Sequence, residues 1–204
     1  LHVHTRETSF CGRTEGRLVA ELYKKAGYDG IVIADHYNKG FFRRLPKGLT
    51  WSEKIDHFLR GYRNAREKGE KIGLTVLLGI ELKFIDSPRE YLIYGIDEAF
   101  LKKYPELYKM GIDYFRKFSK QLTPREEILI YQAHPFRPGL TPVPLELIDG
   151  IEVYNGNPRQ NSNNQLAFAF ARQNNLRMIS GSDFHRLPDL ARGGLILPAA
   201  VKEN

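Results

Sequence analysis

Cysteine is nearly missing from this chain: Cys11 is the one thiol among 204 residues. A single thiol forms no disulfide within the chain, so the fold has to be held by a packed core, as in a reducing compartment. Long apolar runs are missing too. None reaches the ~18 residues of a membrane span, and the polar start lacks the pattern of a secretory leader. These absences set an expectation of a cytoplasmic protein with no membrane partner. No linker and no low-complexity tract divides the sequence, so one domain over 1–204 is expected. An excess of acid is likewise lacking. Lys and Arg outnumber Asp and Glu by 31 to 24, a net charge of +7, which favours an anionic partner through the long-range field. The sign does not separate a phosphorylated metabolite from nucleic acid.

What is present is an alternation. Near-continuous apolar runs occur at "DGIVIAD" (29–35), "LTVLLGIE" (74–81), "YLIYGI" (91–96), "EILIYQAH" (127–134), "DGIEVYN" (149–155) and "LRMISGSD" (176–183). Runs of this kind suit strands of a parallel sheet covered on both faces. Between them lie stretches with helical period. Leu18, Val19, Leu22 and Ala26 share a face before Gly27. Thr50 and Glu53 have capping-box spacing ahead of the apolar face of Trp51, Ile55, Phe58, Leu59 and Tyr62. Thr123 and Pro124 mark a further helix start, 163–175 reads as another helix, and 98–120 reads as two pieces around Pro105. Strand and helix in turn mean an α/β fold, and about seven repeats favour closure into a barrel. The basic, aromatic loop 37–50 reads as a lid or a surface loop.

Five of the six histidines fall at strand ends. His2 and His4 open the chain in "LHVHT", His36 ends "ADH", His134 ends "QAH" and His185 closes "SDFH"; Glu81 ends "GIE". In parallel α/β folds the strand C-termini share one rim, where sites are built. Residues i and i+2 of a strand face the same side, so His2 and His4 point together, as do Asp183 and His185 if the strand geometry persists. A mixture of imidazole and carboxylate without a cysteine cluster suits Zn²⁺, Mn²⁺ or Fe²⁺. One histidine at a strand end is commonly structural; five on one rim are better explained by a metal cluster. His57, inside a helix, is the contrast and reads as surface. Asp35 either orients a ligand or caps the next loop. Cys11 is either a thiolate ligand or an inert thiol. The strand carrying His2 and His4 has almost nothing before it, so upstream residues are expected in the native chain, and residues 1–4 are expected to be buried.

The ordered set "HVHT", "ADH", "GIE", "AHP" and "GSDFH" resembles the PHP (polymerase and histidinol phosphatase) family along essentially the whole chain. The resemblance implies a distorted (β/α)₇ barrel with two or three divalent metal ions that hydrolyses phosphate esters with metal-activated water. It implies that His2, His4, Glu81 and Asp183 hold a first ion, that Glu81 bridges to a second held with His134, and that His36 and His185 hold a third. It gives Glu81, Asp183 and His185 the catalytic roles. Two positions depart from the family pattern: Cys11 stands where many members have Asp or His, and Tyr91 where many have a further His. Arg137, Arg13 and Asn155 are expected to bind the phosphate of a small phosphorylated substrate. The other readings are a nuclease, an amidohydrolase-type barrel, and a metal-binding regulatory domain that has lost catalysis.

Overall fold

A computed structural model describes residues 1–123 and 127–198. All six apolar runs form strands: β1 (Gly30–Ile33), β3 (Thr75–Leu78) with β4 (Ile80–Lys83), β5 (Glu90–Tyr94), β6 (Leu129–Gln132), β7 (Gly150–Asn155) and β8 (Arg177–Gly181). The short β2 (His36–Tyr37) prolongs β1 across Ala34 and Asp35. β1 pairs with β3 and β2 with β4, both parallel. Gly79 N–H donates to the Ile33 carbonyl and Glu81 N–H to that of Asp35, so the two pairings form one ladder across the interruption. The order then runs β4, β5, β6, β7, β8. Val3 pairs with Ile33 at one end and with Phe184, just past β8, at the other. The N-terminal segment therefore lies between the first and last strands, and the succession of pairings returns to its start. The architecture is mixed α/β around a central sheet.

One strand departs from the expected parallel order. β5 is antiparallel to both β4 and β6. Only residues 84–89 join β4 to β5, too few for a crossover, and "DSP" (86–88) supplies turn chemistry for a hairpin instead. No helix separates these two strands, so the strand–helix alternation fails at this step.

The helices match the sequence closely. They are α1 (Gly16–Lys25), α2 (Lys39–Phe42), α3 (Trp51–Phe58), α4 (Arg60–Ile72), α5 (Glu98–Lys103), α6 (Ile112–Ser119) and α7 (Asn164–Gln173). The capping box at the start of α3 is formed in both directions: Glu53 N–H donates to Thr50 Oγ1, and Thr50 N–H to the Glu53 carboxylate. Such caps are worth ~1 kcal/mol. The single helical face read from Trp51 onward is two helices, broken at Leu59. The helix start at Thr123–Pro124 falls on residues outside those described. The loop 37–50 contains α2, and Phe42 is buried against Tyr37, Trp51 and Tyr108. No helix among the described residues is long and apolar enough to cross a membrane.

The core has two parts. The larger lies between the strands and the helices and includes Ile33, Phe58, Phe84, Tyr91 and Phe115. A smaller one, of Ala34, Leu92, Tyr131, Ala133 and Ile179, lies on the other face of the strands. One helix contact sets the position of the N-terminal segment. A Cβ on Gly61 of α4 would sit 1.8 Å from Thr5 Oγ1. Glycine there lets the first segment approach closely enough for Thr5 to reach Asp35.

Candidate metal centre

His2 and His4 are completely buried, as expected of a first segment held between two strands. Their hydrogen bonds fix which nitrogen carries the proton. His2 Nδ1 donates to Glu152 Oε1 at 2.9 Å. For His4 the assignment runs through Ser9, whose one hydroxyl proton goes to Asp35 Oδ1 at 2.6 Å. Ser9 Oγ can therefore only accept from His4 Nδ1, at 3.1 Å, as it accepts from His36 N–H. His185 Nδ1 donates to the Asp183 carbonyl at 2.8 Å. In all three rings Nδ1 faces outward to a fixed acceptor, which leaves Nε2 as the nitrogen turned to the cluster that would ligate a cation.

The nitrogens on the cluster side meet carboxylates. His2 Nε2 lies 3.2 Å from Glu81 Oε1 and 3.5 Å from Asp183 Oδ1. His4 Nε2 lies 3.3 Å from Asp183 Oδ1 and 3.5 Å from Glu81 Oε2. His134 Nε2 lies 3.1 Å from Glu81 Oε1, and His36 Nδ1 lies 2.6 Å from Glu81 Oε2. Despite this crowding, His2 Nε2 and His4 Nε2 are sealed from solvent without a hydrogen-bond partner. Unpaired buried polar atoms are costly and rare. Donor atoms that surround a common point, rather than pointing at one another, explain them: tetrahedral ligands at ~2.1 Å from an ion stand about 3.4 Å apart. The donor set thus fits divalent cations. Three groups have donor atoms within 4.8 Å of one another: His2, His4 and Asp183; His4, His36 and His185; His36, Glu81 and Glu90.

The backbone is strained where two of these residues sit. His134 has φ +30° and Asp183 φ +47°. Both lie just past the ends of strands, where the chain turns over the rim. Left-handed backbone at a non-glycine residue costs of order 1–3 kcal/mol and concentrates at functional sites.

Electrostatics binds the cluster together. Burial alone would lower the His2 pKa, but Glu152, Asp183 and Glu81 together outweigh it and raise the pKa well above the usual range. Burial likewise works against ionised Glu81, yet His2 and His36 hold its carboxyl well below the usual range. Asp183 is also held low, against burial, by His2 and His4. His4 is pushed well down by burial and by its neighbours His185 and His36. Burial opposes ionisation of the Cys11 thiol, but hydrogen bonds from His185 and His36 bring it down to about 6.

The three residues expected to bind phosphate all lie beside Asp183 or His185. Arg137 donates to Asp183 Oδ2 and lies 3.3 Å from Asn155 Oδ1. Asn155 is buried and donates to Glu152 and Asp183. Both stand behind Asp183 and direct it. The Arg13 side chain is exposed, while its N–H donates to the His185 carbonyl. Asp35 accepts from Thr5 N–H, Thr5 Oγ1 and Ser9 Oγ, so it orients His4 through Ser9. His57 belongs to α3 and to none of the three donor groups.

Two residues escape a reading by sequence alone. Tyr91 is not at the cluster; it faces the helices and packs with Phe84. Its neighbour Glu90 shares the face of Leu92 and reaches His134 Nε2 at 3.5 Å. A shift of one position on a strand exchanges the faces. Glu152 is the other. An acid inside the apolar run "DGIEVYN" was the available signal, since a carboxylate enters such a strand only with partners.

The sequence matches no protein-family model and no curated protein. Its fold has counterparts among solved structures. A two-domain protein of Bacteroides vulgatus containing a predicted PHP-like metal-dependent phosphoesterase is 22% identical with a TM-score of 0.60, covering 90% of this chain and 50% of that one. The chain thus spans half the length of that protein. A predicted metal-dependent phosphoesterase of Bifidobacterium adolescentis is 18% identical with a TM-score of 0.54, covering 91% of this chain and 86% of that one. An amidohydrolase of Chromobacterium violaceum, solved with sulfate and no metal, is 16% identical with a TM-score of 0.55, covering 97% and 91%. The resemblance to the PHP family that the histidine motifs carry therefore extends to the fold, which this chain shares with PHP-like phosphoesterases and an amidohydrolase.

Proposed function

We propose that this chain is a metal-dependent phosphoesterase, a single domain built as a distorted (β/α)₇ barrel, acting on a small phosphorylated substrate. The observation that carries the reading is the pair of buried, unpartnered nitrogens His2 Nε2 and His4 Nε2, which both face Glu81 and Asp183. His2, His4, Glu81 and Asp183 would hold one cation, Glu81 and His134 a second, and His36 and His185 a third. Such ions neutralise phosphate charge and lower the pKa of water towards ~7.

The chain's own residues supply the rest. Glu152 and the Ser9–Asp35 pair keep the Nε2 atoms of His2 and His4 turned to the cluster. Arg137 balances one oxygen of Asp183, which leaves the other to the histidines. Arg13, exposed on the loop whose backbone bonds to His185, would receive phosphate. The net charge of +7 favours an anionic substrate. An amidohydrolase would act at carbon and has no need of that charge.

The test is a panel of phosphate monoesters, phosphodiesters, oligonucleotides and amide or lactone substrates, with Mn²⁺, Zn²⁺ or Fe²⁺ added. Phosphate release from small esters, lost together with bound metal in Glu81→Gln, is the expected result. Turnover confined to oligonucleotides makes the protein a nuclease, and turnover at carbon makes it an amidohydrolase. Inertness throughout, with metal bound, leaves a regulatory domain.

A further inference from the structure

The two flanks of the cluster differ in chemistry. On one, Cys11 Sγ lies 3.2 Å from His36 Nε2, and the thiol also hydrogen-bonds with His185. His4 is stacked against both rings, with centroids 4.4 Å from His36 and 4.2 Å from His185. It is wholly buried, and its Nε2 has no hydrogen-bond partner. On the other flank Glu90 joins Glu81, with His134 Nε2 at 3.5 Å from Glu90 and 3.1 Å from Glu81. His36 stands between, with Nε2 towards the thiol and Nδ1 towards Glu81.

Thiolate with imidazole is a soft donor set that selects zinc-class ions; two carboxylates with one imidazole form a harder set that suits manganese. We propose that the centre is chemically asymmetric. Cys11 is a metal ligand beside His36 and His185 on a zinc-selective flank, and Glu90 is a ligand beside Glu81 and His134 on a manganese-selective flank. The proposal rests on reading the cluster as a metal centre, and it adds two ligands and a division of metals to that reading.

Cys11 is the only thiol in the chain, which makes the test specific. The metal-free 204-residue chain is loaded with Co²⁺, a spectroscopic substitute for zinc. A thiolate-to-cobalt charge-transfer absorption is expected, and it has one residue from which to arise. Cys11→Ser is expected to lose that absorption while retaining Mn²⁺, read by electron paramagnetic resonance. Glu90→Gln is expected to lose Mn²⁺ while keeping the absorption. Elemental analysis after exposure to equal Zn²⁺ and Mn²⁺ is expected to find both ions in the native protein. Absence of the absorption from native protein, its persistence in Cys11→Ser, or undiminished Mn²⁺ in Glu90→Gln would overturn the proposal. Activity is scored separately. Protein that divides its metals in this way yet hydrolyses no phosphate ester refutes the proposed reaction and leaves the asymmetry standing. Hydrolysis without the absorption does the reverse.

Discussion

Glu152 accepts a hydrogen bond from His2 Nδ1 at 2.9 Å, with both side chains sealed from solvent. Strand β7 thereby sets the tautomer of a residue on the first segment, far away in sequence. The same carboxylate accepts from the His134 N–H and from Asn155 Nδ2. It is a hub for two donor residues and touches no open space itself.

Glu152→Gln is therefore expected to weaken metal binding rather than unfold the chain. The amide keeps the shape but leaves the His2 proton without a charged acceptor. Loss of an orienting partner of this kind typically lowers metal affinity about 10–100-fold. Titration calorimetry with Zn²⁺ and Mn²⁺ checks it. Unchanged affinity would show that His2 needs no such anchor.

Arg137 and Asp183 form an ion pair that is largely buried. Removing one partner of a buried pair costs about 3–5 kcal/mol, because the other charge is left unpaired. Arg137→Ala is expected to lower the melting temperature of metal-free protein more than that of metal-loaded protein, where cations balance Asp183. Equal losses in the two states would place the role of Arg137 elsewhere.

Burial pushes the Asp35 carboxyl up to about 6, against the pull of its bonds from Ser9 and Thr5. In the unfolded chain the group titrates near ~4. Between those values the folded state binds the extra proton, so this group's contribution to stability falls as pH rises from about 4 to 6. Asp35→Asn removes that slope, and it leaves some donors of Thr5 and Ser9 unpaired at ~1–3 kcal/mol. Denaturant midpoints of both proteins across this pH range give the comparison; parallel curves would refute the shift.

The Cys11 thiol, at about 6, is ionised at neutral pH in metal-free protein. Alkylation by iodoacetamide is expected to rise with pH to a plateau with its midpoint near 6, instead of still climbing above 8. Added Zn²⁺ is expected to protect the thiol. A midpoint in the ordinary thiol range would show that His36 and His185 do not support the thiolate.

The strands and most helices were legible because their signals are local. Apolar runs, the Thr50–Glu53 cap and the stop at Gly27 need no distant partner to be read. The positions of His36, His134 and Asp183 at or just past strand ends were legible for the same reason, whereas Glu81, expected at a strand end, lies inside β4. Direction was not: the reversal of β5 comes from the brevity of residues 84–89, and a run such as "YLIYGI" looks alike in either sense. Facing was not either. Glu90 and Tyr91 differ by one position, and only the pairing of Lys83 with Glu90 and Leu82 with Tyr91 shows which one meets His134.

By itself, then, the sequence determined an α/β chain whose strand ends carry imidazole and carboxylate, because residue type and period are properties of short stretches. Tertiary structure decided which nitrogen of each ring is free, which acid orients and which acid faces the cluster. Those properties depend on residues such as His2 and Glu152, which are 150 positions apart and meet only because Val3 is held between the first and last strands.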